Sequence, residues 1–587
     1  MAVVGFDFGT TNSLIAVIVA DRAINALDEE GLPIPSVVCY EGGKTIVGKK
    51  AKERRSEAGL GIKGNVVSSP KMFLGQESIY VEGLRLNPID VVSDVVKYVI
   101  SQATANQYRE IDTITHAVVT IPVDTNGRWR VALRDAFRRV GIGIVQYIHE
   151  PLAALYGFLR SQTDVTAALR HYNRELLLVF DWGGGTLDLT LCQLTNGMLV
   201  QIRNDGTSEV GGDHFDDLIR NEIVRRVLQD RGLDDTVKIQ PDAWIRLLHR
   251  CERAKIDLST RKSVEIYVPC FFPDMTDEDL QFRLTQEILE EITDPLLTKG
   301  LNRIRKVLNE TDVAPAQIAL CLATGGMVNM PAIKSRLHEW FGPQRVEVSE
   351  HTSTLIAEGA AWIAHDEVRL QLAKNVELLL ARNSYLPVIK AGTAMPGEGD
   401  IHSSNFHLYC VDPRDGNAKF QLVSPVRPGV NILKNDVRIP LENLVVEVDA
   451  KAKLFQERLE LDVSINDNLI LTAHARSINK CDYDKKEVHD LEFGLTVADS
   501  DGGNKTDDTL LKISSRQRGE LTIRSNIANR KDSKLVPGEL LYEYAPEYFD
   551  RRLNPPEYQD RERLYYKPCS ICGRASNDPL CQCSSKL

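Results

Sequence analysis

The chain has 587 residues, and at about 150 residues per domain that length implies roughly four compact units and excludes a single small module. Lys and Arg total 71 against 82 Asp and Glu, a net charge of -11, which excludes an overall basic field for nucleic acid or an anionic membrane. Apolar residues at 43% and charged ones at 26% are the usage of ordinary folded proteins, and no apolar run approaches the roughly 18 residues that span a bilayer.

The first predicted elements are an apolar strand, Val3 to Phe8, the tight segment Gly9-Thr10-Thr11-Asn12-Ser13, and a second strand, Leu14 to Val19. This start carries neither a basic segment nor a cleavage site, so a cytoplasmic protein is expected. The strand pair reads as a β-hairpin whose turn amides and hydroxyls make a concavity for phosphate, with Asp7 facing it. Alone, the same residues are equally good turn chemistry. An internal echo tips the balance: Phe180-Asp181-Trp182-Gly183-Gly184-Gly185, then Thr186-Leu187-Asp188, sits between the apolar strands Leu176 to Phe180 and Leu187 to Leu191. Two like hairpins so far apart predict two related lobes gripping one polyphosphate. Their aspartates suit Mg²⁺, which takes one or two carboxylates and fills its shell with phosphate oxygens and water. Competing nucleotide motifs fail: Gly43-Lys44-Thr45 lacks the glycine a P-loop needs five places earlier, and no G-x-G-x-x-G follows a strand.

Further motifs follow in order. They are Pro70-Lys71-Met72-Phe73-Leu74-Gly75, Ala117-Val118-Val119-Thr120-Ile121-Pro122, Arg130 and Asp135 on a predicted helix, and His149-Glu150-Pro151-Leu152-Ala153-Ala154-Leu155-Tyr156-Gly157. After the second hairpin come Gly211-Gly212-Asp213-His214-Phe215-Asp216, Cys251-Glu252-Arg253-Ala254-Lys255 with Ser259, Ala323-Thr324-Gly325-Gly326 with Pro331, and Gly359-Ala360-Ala361. In this order the segments resemble the actin-like ATPase superfamily and, within it, the seventy-kilodalton heat-shock chaperones of the DnaK type, over about the first 365 residues. The resemblance implies ATP/ADP and Mg²⁺ as cofactors, Lys71, Glu150, Asp181 and Thr186 as the hydrolytic group, and Asp7 with Asp181 in the Mg²⁺ shell. It implies phosphate contacts at Gly9, Thr10, Thr11, Asn12, Gly183, Gly184, Gly185, Gly211 and Gly212, and adenosine contacts at Glu252, Lys255, Ser259, Gly325 and Gly326. Outside those motifs Lys71 is one more solvated lysine, and Glu150 a helix N-terminal carboxylate. Three positions depart from the family: Ile256 replaces an arginine that lies on adenine, Met327-Val328-Asn329 replaces Ser-Thr-Arg, and Ser353 replaces an aspartate. ATP binding that is weaker or has relaxed base preference is the expectation, since isoleucine packs on a purine without the guanidinium's stacking.

Beyond the motifs, Thr285 to Glu310 reads as a helical region, within which Asp294-Pro295 reads as an N-cap and first helical position, and Leu297, Leu301, Ile304 and Leu308 form a core stripe. Leu378-Leu379-Leu380 resembles the family's interdomain linker or is an ordinary buried strand; Ala381 replaces the aspartate normally found after the leucines, while Pro122 and Arg130 match relay positions between the halves. From residue 385 short alternating runs such as Leu459 to Val463 and Leu469 to Ala473 predict an antiparallel β-sandwich. Ser500 to Lys512 reads as a loop, and six tyrosines from Tyr542 to Tyr566 among prolines predict an extended segment lying across the protein or a partner. Cys569, Cys572, Cys581 and Cys583 suit tetrahedral Zn²⁺, against a redox pair or free thiols.

The expected fold class is α/β: an actin-like nucleotide-binding domain at 1–371, a linker at 372–384, a β-rich substrate or partner domain at 385–540, and a tail with a zinc knuckle at 541–587. The resemblance implies a chaperone that hydrolyses ATP to switch its grip on an unfolded or dedicated client, with a J-domain co-chaperone and a nucleotide-exchange factor. A nucleotide-gated scaffold holding one partner is the alternative. A small-molecule kinase fits worse, because the sequence past 385 is strand-rich.

Overall fold

The structure, a computed structural model, describes residues 2–57, 65–81, 83–105, 113–234, 237–273, 278–349, 353–429, 432–433, 436–498 and 537–542. Lobe I is built on a sheet ordered Gly143–His149, Ile114–Ile121, Ala2–Phe8, Asn12–Val19, Arg22–Ala26. The first three strands are parallel and the last three form antiparallel hairpins. Helices Glu150–Arg160 and Leu355–His365 pack together beside this sheet. They meet at backbone distance: a Cβ at Gly359 would sit 1.8 Å from the Ala153 carbonyl oxygen, so only glycine lets them cross here. That crossing holds Glu150, the first residue of its helix, at the C-terminal end of the sheet.

Lobe II repeats the plan with the order Val346–Val348, Ile318–Thr324, Leu176–Trp182, Leu187–Thr195, Met198–Thr207. Its far side has its own apolar core, in which Phe215, Ile219 and Ile223 of Gly212–Asp230 meet Leu297, Leu301 and Ile304. The stripe is therefore core and the helix spans the expected region, but Asp294 and Pro295 do not start it. Gln286–Glu310 is one helix capped by the Thr285 hydroxyl, which accepts from the Ile288 N–H at 3.3 Å, and Pro295 lies inside it. A proline removes only one helical hydrogen bond, and the buried row Leu289, Ile292, Leu297, Gly300, Leu301 keeps the helix going through it.

The β-rich half is the expected sandwich. One sheet runs Ser384–Ile389, Val376–Leu380, Asn417–Pro425, Arg438–Glu447, and the other Tyr483–Val488, Leu471–Ser477, Arg458–Asn466, Ile401–Cys410, Leu540–Tyr542. Leu459, Leu461, Val463 and Ile465 point inward in strict alternation with Glu460, Asp462 and Ser464. The triple-leucine run is a strand of this sandwich, not a connection between the halves. Val376, Leu378 and Leu380 are buried, Leu378 pairs with Leu386 and Leu422, and Glu377 on the other face forms a buried ion pair with Arg438 at 3.1 Å.

The halves are joined differently. Phe493–Thr496, the chain that leaves the sandwich, pairs antiparallel with Met198–Thr207 at the edge of the lobe II sheet, and Gln371–Leu372, the chain that enters it, pairs on the outside of that strand. A buried Lys374–Glu492 ion pair at 3.0 Å fastens the two segments to each other. The cysteines at 569, 572, 581 and 583, the loop 500–512 and every tyrosine of the tail except Tyr542 lie outside the described residues.

Candidate active site

The two echoing hairpin turns touch. A Cβ at Gly184 would lie 1.8 Å from Thr11 Oγ1, and one at Gly185 would lie 2.4 Å from Thr10 Cγ2, so the glycines of one turn receive the threonines of the other. Gly9 is equally constrained, with Asn12 O 2.1 Å from where its Cβ would be. Gly211 and Gly212 close the second turn: Gly212 N–H donates to Gly183 O at 3.1 Å and Asp213 N–H to Gly184 O at 2.8 Å. Gly325 has φ 86° and presses on Asp181, whose Oδ1 is 2.6 Å from the missing Cβ, with Gly326 beside it. Thr11 Oγ1 is buried without a hydrogen-bond partner.

Against these turns lies a buried charged group. Lys71, on the short helical turn Pro70–Phe73, donates to Glu150 Oε1 at 2.5 Å, and both side chains are almost wholly buried. The Trp129 indole N–H donates to Lys71 O at 3.1 Å and fixes that turn. Asp7 accepts from the Thr120 hydroxyl at 2.7 Å, and Asp188 from Val123 N–H at 2.7 Å. Burial, then the Glu150 charge, raises the Asp7 carboxyl to about 6 and that of Asp188 to about 7. The Thr186 hydroxyl, hydrogen-bonded to Asp188, opposes that rise. Asp181 is pushed well above the usual carboxylate range by burial first, then by Glu150, Asp188 and Asp7. Fully ionised, these four carboxylates and one ammonium would carry a net charge of three negatives. A buried cluster of that kind favours a cation.

Among the described residues no three His, Cys, Asp or Glu converge to hold a metal on protein ligands alone. Asp7 and Asp181, two buried carboxylates at the hairpin strands, have the chemistry that suits an ion drawing the rest of its shell from phosphate and water. The residues expected to contact adenosine are carried by helix Pro241–Asp257 and the turn after it. Glu252 pairs at 2.6 Å with Lys52 of lobe I, closing a bridge over the cleft. Lys255 donates to Gly212 O at 2.9 Å and pairs with Asp216 at 2.8 Å, and Ser259 follows in the turn after the helix. Ile256 is 56% exposed, so more than half of it faces solvent. Asn329 turns its amide back to Gly326 O at 3.3 Å.

Lys52, Thr120 and Trp129 were not among the residues the sequence singled out for this site. Each acts through a contact with a remote segment, and only Thr120 lay inside a quoted motif. A second bridge between lobes, Ser69 Oγ donating to Asp213 Oδ2 at 3.1 Å, was equally silent.

From the cleft the contacts continue into the sandwich. Arg130 is fully buried, and its guanidinium donates to Leu469 O and His489 O at 3.0 Å and to Thr125 O at 2.8 Å. Arg134 reaches Asn468 Oδ1 at 2.7 Å and Asp467 O at 2.9 Å. Next to Glu150, His149 packs its ring 5.4 Å from Phe493, and Gln201 Oε1 accepts from Phe493 N–H at 2.9 Å.

Two pseudo-repeated lobes closing hairpin turns over buried carboxylates, followed by a β-sandwich, define an actin-like ATPase coupled to a binding domain. Comparison with known proteins is specific. The family described as Hsp70 protein matches residues 3–79 and 66–379. The chaperone protein dnaK of Emiliania huxleyi is 26% identical over 586 residues, covering 90% of this chain and 89% of that protein. The chaperone protein DnaK of Thermus thermophilus is 29% identical over 387 residues, 61% of this chain and 60% of its own length. The chain belongs to the Hsp70 family, the ATP-hydrolysing chaperones, and ATP/ADP with Mg²⁺ are its cofactors.

Proposed function

We propose that this chaperone turns over ATP in the cleft between its lobes, and that the contact of Thr10 and Thr11 with Gly184 and Gly185 beside the Lys71–Glu150 pair is the observation that carries it. The backbone amides of Gly9 to Asn12 and Gly183 to Gly185 cradle the phosphates, with Gly211 and Gly212 supporting the second loop. Asp7 and Asp181 would hold Mg²⁺, which when bound neutralises phosphate charge. Lys71, oriented by Glu150, places its ammonium at the terminal phosphate, while Asp181 and Thr186 orient the attacking water. Phosphoryl transfer needs little more than such positioning. Glu252, Lys255, Ser259, Gly325 and Gly326 contact adenosine, and exposed Ile256 with Asn329 in place of two arginines relaxes the choice of base.

Arg130 and Arg134 transmit closure of the cleft to the sandwich, which binds an unfolded or dedicated client; a J-domain protein and an exchange factor pace the cycle. No helix among the described residues is long and apolar enough to cross a membrane, and a cytoplasmic site is part of this reading. The four terminal cysteines are proposed to hold zinc, checked by metal analysis of wild type against Cys569→Ser/Cys572→Ser. The central test is single-turnover ATP hydrolysis with and without denatured client. Slow turnover, accelerated by client and abolished in Lys71→Met, is expected; nucleotide binding without any turnover would overturn the proposal.

A further inference from the structure

Arg130 is a wholly buried cation at the joint between the ATPase lobes and the sandwich. Among the described residues its guanidinium donates only to uncharged oxygens, on Thr125, Asn468, Leu469 and His489. Two histidines, one from each side of the joint, lie within reach of its charge. His149 comes from lobe I and is 2% exposed. Its Nδ1 lies 3.3 Å from the Gln201 side-chain amide, while Nε2 is buried with no hydrogen-bond partner. Its ring packs on Phe493, the first residue of the strand that the sandwich lays on lobe II. His489 comes from the segment that leads into that strand. Its Nδ1 is likewise buried without a partner, and its ring would lie 2.8 Å from a Cβ on Gly127, at the start of the helix that carries Arg130.

A neutral imidazole can leave one nitrogen idle, but a protonated one carries two N–H donors and a charge. At either ring one of those donors would face no acceptor, and the new charge would share a buried space with Arg130. Burial first and the Arg130 charge second hold His149 down to about 3, opposed by the Gln201 hydrogen bond. Glu150, next in sequence, turns its carboxylate to Lys71 instead. The same two causes lower His489, where the charges of Glu487, Asp490 and Glu442 act the other way. We propose that these two histidines, His149 foremost, make the joint proton-operated: neutral rings let the sandwich dock, and acid releases it from the ATPase lobes. Docking is favoured above the ordinary histidine value of about 6.5 and progressively lost below it, because undocked rings take up protons that the docked rings refuse. The inference goes beyond the chaperone reading and does not depend on turnover.

The test uses the full chain without nucleotide and follows amide hydrogen exchange of Phe493–Thr496 between about pH 7.5 and about pH 5, with pulses scaled to the intrinsic exchange rate at each pH. Wild-type protection should fall at least about thirtyfold, the factor for one histidine whose value drops from about 6.5 to about 3 on docking. Strand Ile114–Ile121 of lobe I should keep its protection throughout, which marks the release as local. His149→Gln should flatten the dependence to a few-fold, and His489→Gln should flatten it less. Because a glutamine at 149 could itself loosen the joint, Gln201→Glu gives a second arm. A carboxylate beside the ring should hold its proton, so protection should rise on acidification instead of falling. A wild-type joint indifferent to pH, an equal fall in wild type and His149→Gln, or a wild-type fall in Gln201→Glu would overturn the proposal, as would protection lost from Ile114–Ile121 together with Phe493–Thr496. Single-turnover ATP hydrolysis in the same samples separates the two readings: acid release without turnover rejects only the ATPase reading, and turnover with a pH-independent joint rejects only the proton gate.

Discussion

The two hairpins that face each other across the cleft share a sequence pattern, yet they contribute opposite things. The first, from lobe I, ends in threonines and sets Asp7 beside a hydroxyl donor, Thr120. The second, from lobe II, ends in glycines and sets Asp181 among Glu150, Asp188 and Asp7. One turn brings side chains and the other makes room for them. Duplication of a motif has therefore produced complementary halves of a site, and substitutions in the two should differ in kind.

The largest difference is expected at the aspartates. Asp181→Asn should lower turnover by about 100-fold, on the scale of losing one charge-stabilising group, and Asp7→Asn by clearly less. The same Asp181→Asn change should raise the melting temperature of the nucleotide-free protein, because it removes a charge from a crowded, buried cluster. A drop in both activity and stability would mean that Asp181 is paired and not crowded.

A smaller effect is expected from Gly184→Ala, whose methyl group collides with Thr11 Oγ1 and so holds the lobes apart. Nucleotide affinity should fall by about tenfold, or about 1.4 kcal/mol, and Thr11→Ala in the same protein should restore part of it. Isothermal titration of the single and double variants measures that coupling.

The pH dependence sharpens the contrast further. Asp7 and Asp188 have folded values of about 6 and about 7 against 3.8 for an ordinary aspartate, so the native protein binds more protons than the unfolded chain within that interval. Their contribution to stability is complete below the lower value and is lost as pH rises through the upper ones. Melting temperatures of the nucleotide-free, metal-free protein should accordingly fall between about pH 4 and pH 7, and Asp188→Asn should flatten the slope. The smallest effect belongs to the bridge over the cleft. Lys52→Ala removes a partly exposed ion pair with Glu252 and should speed nucleotide release only a few-fold, as stopped-flow measurement would show.

Much of the cleft was legible in the sequence because its residues are held by local backbone demands. Gly9, Gly184 and Gly185 have no room for a side chain, and such positions leave a readable trace. The β-sandwich announced itself through alternation, as at Leu459 to Ile465. What stayed hidden depends on remote partners. The strand Val376–Leu380 looked as much like a connector as a strand, since nothing local shows that Glu377 meets Arg438. Pro295 looked like a helix start because the packing that carries the helix through it comes from other elements. Phe493–Thr496 and Leu540–Tyr542 carry too few residues to stand out, and each becomes a strand only at an edge supplied by distant chain.

The placement of Phe493–Thr496 between lobe II and Gln371–Leu372 has a mechanical consequence. A body hung from one strap swings in every direction. The sandwich hangs from two straps lying side by side in a single sheet, so its rotation is confined to an axis along them. Parting it from the ATPase lobes means peeling both strands at once and breaking the Arg130 and Arg134 contacts along with them.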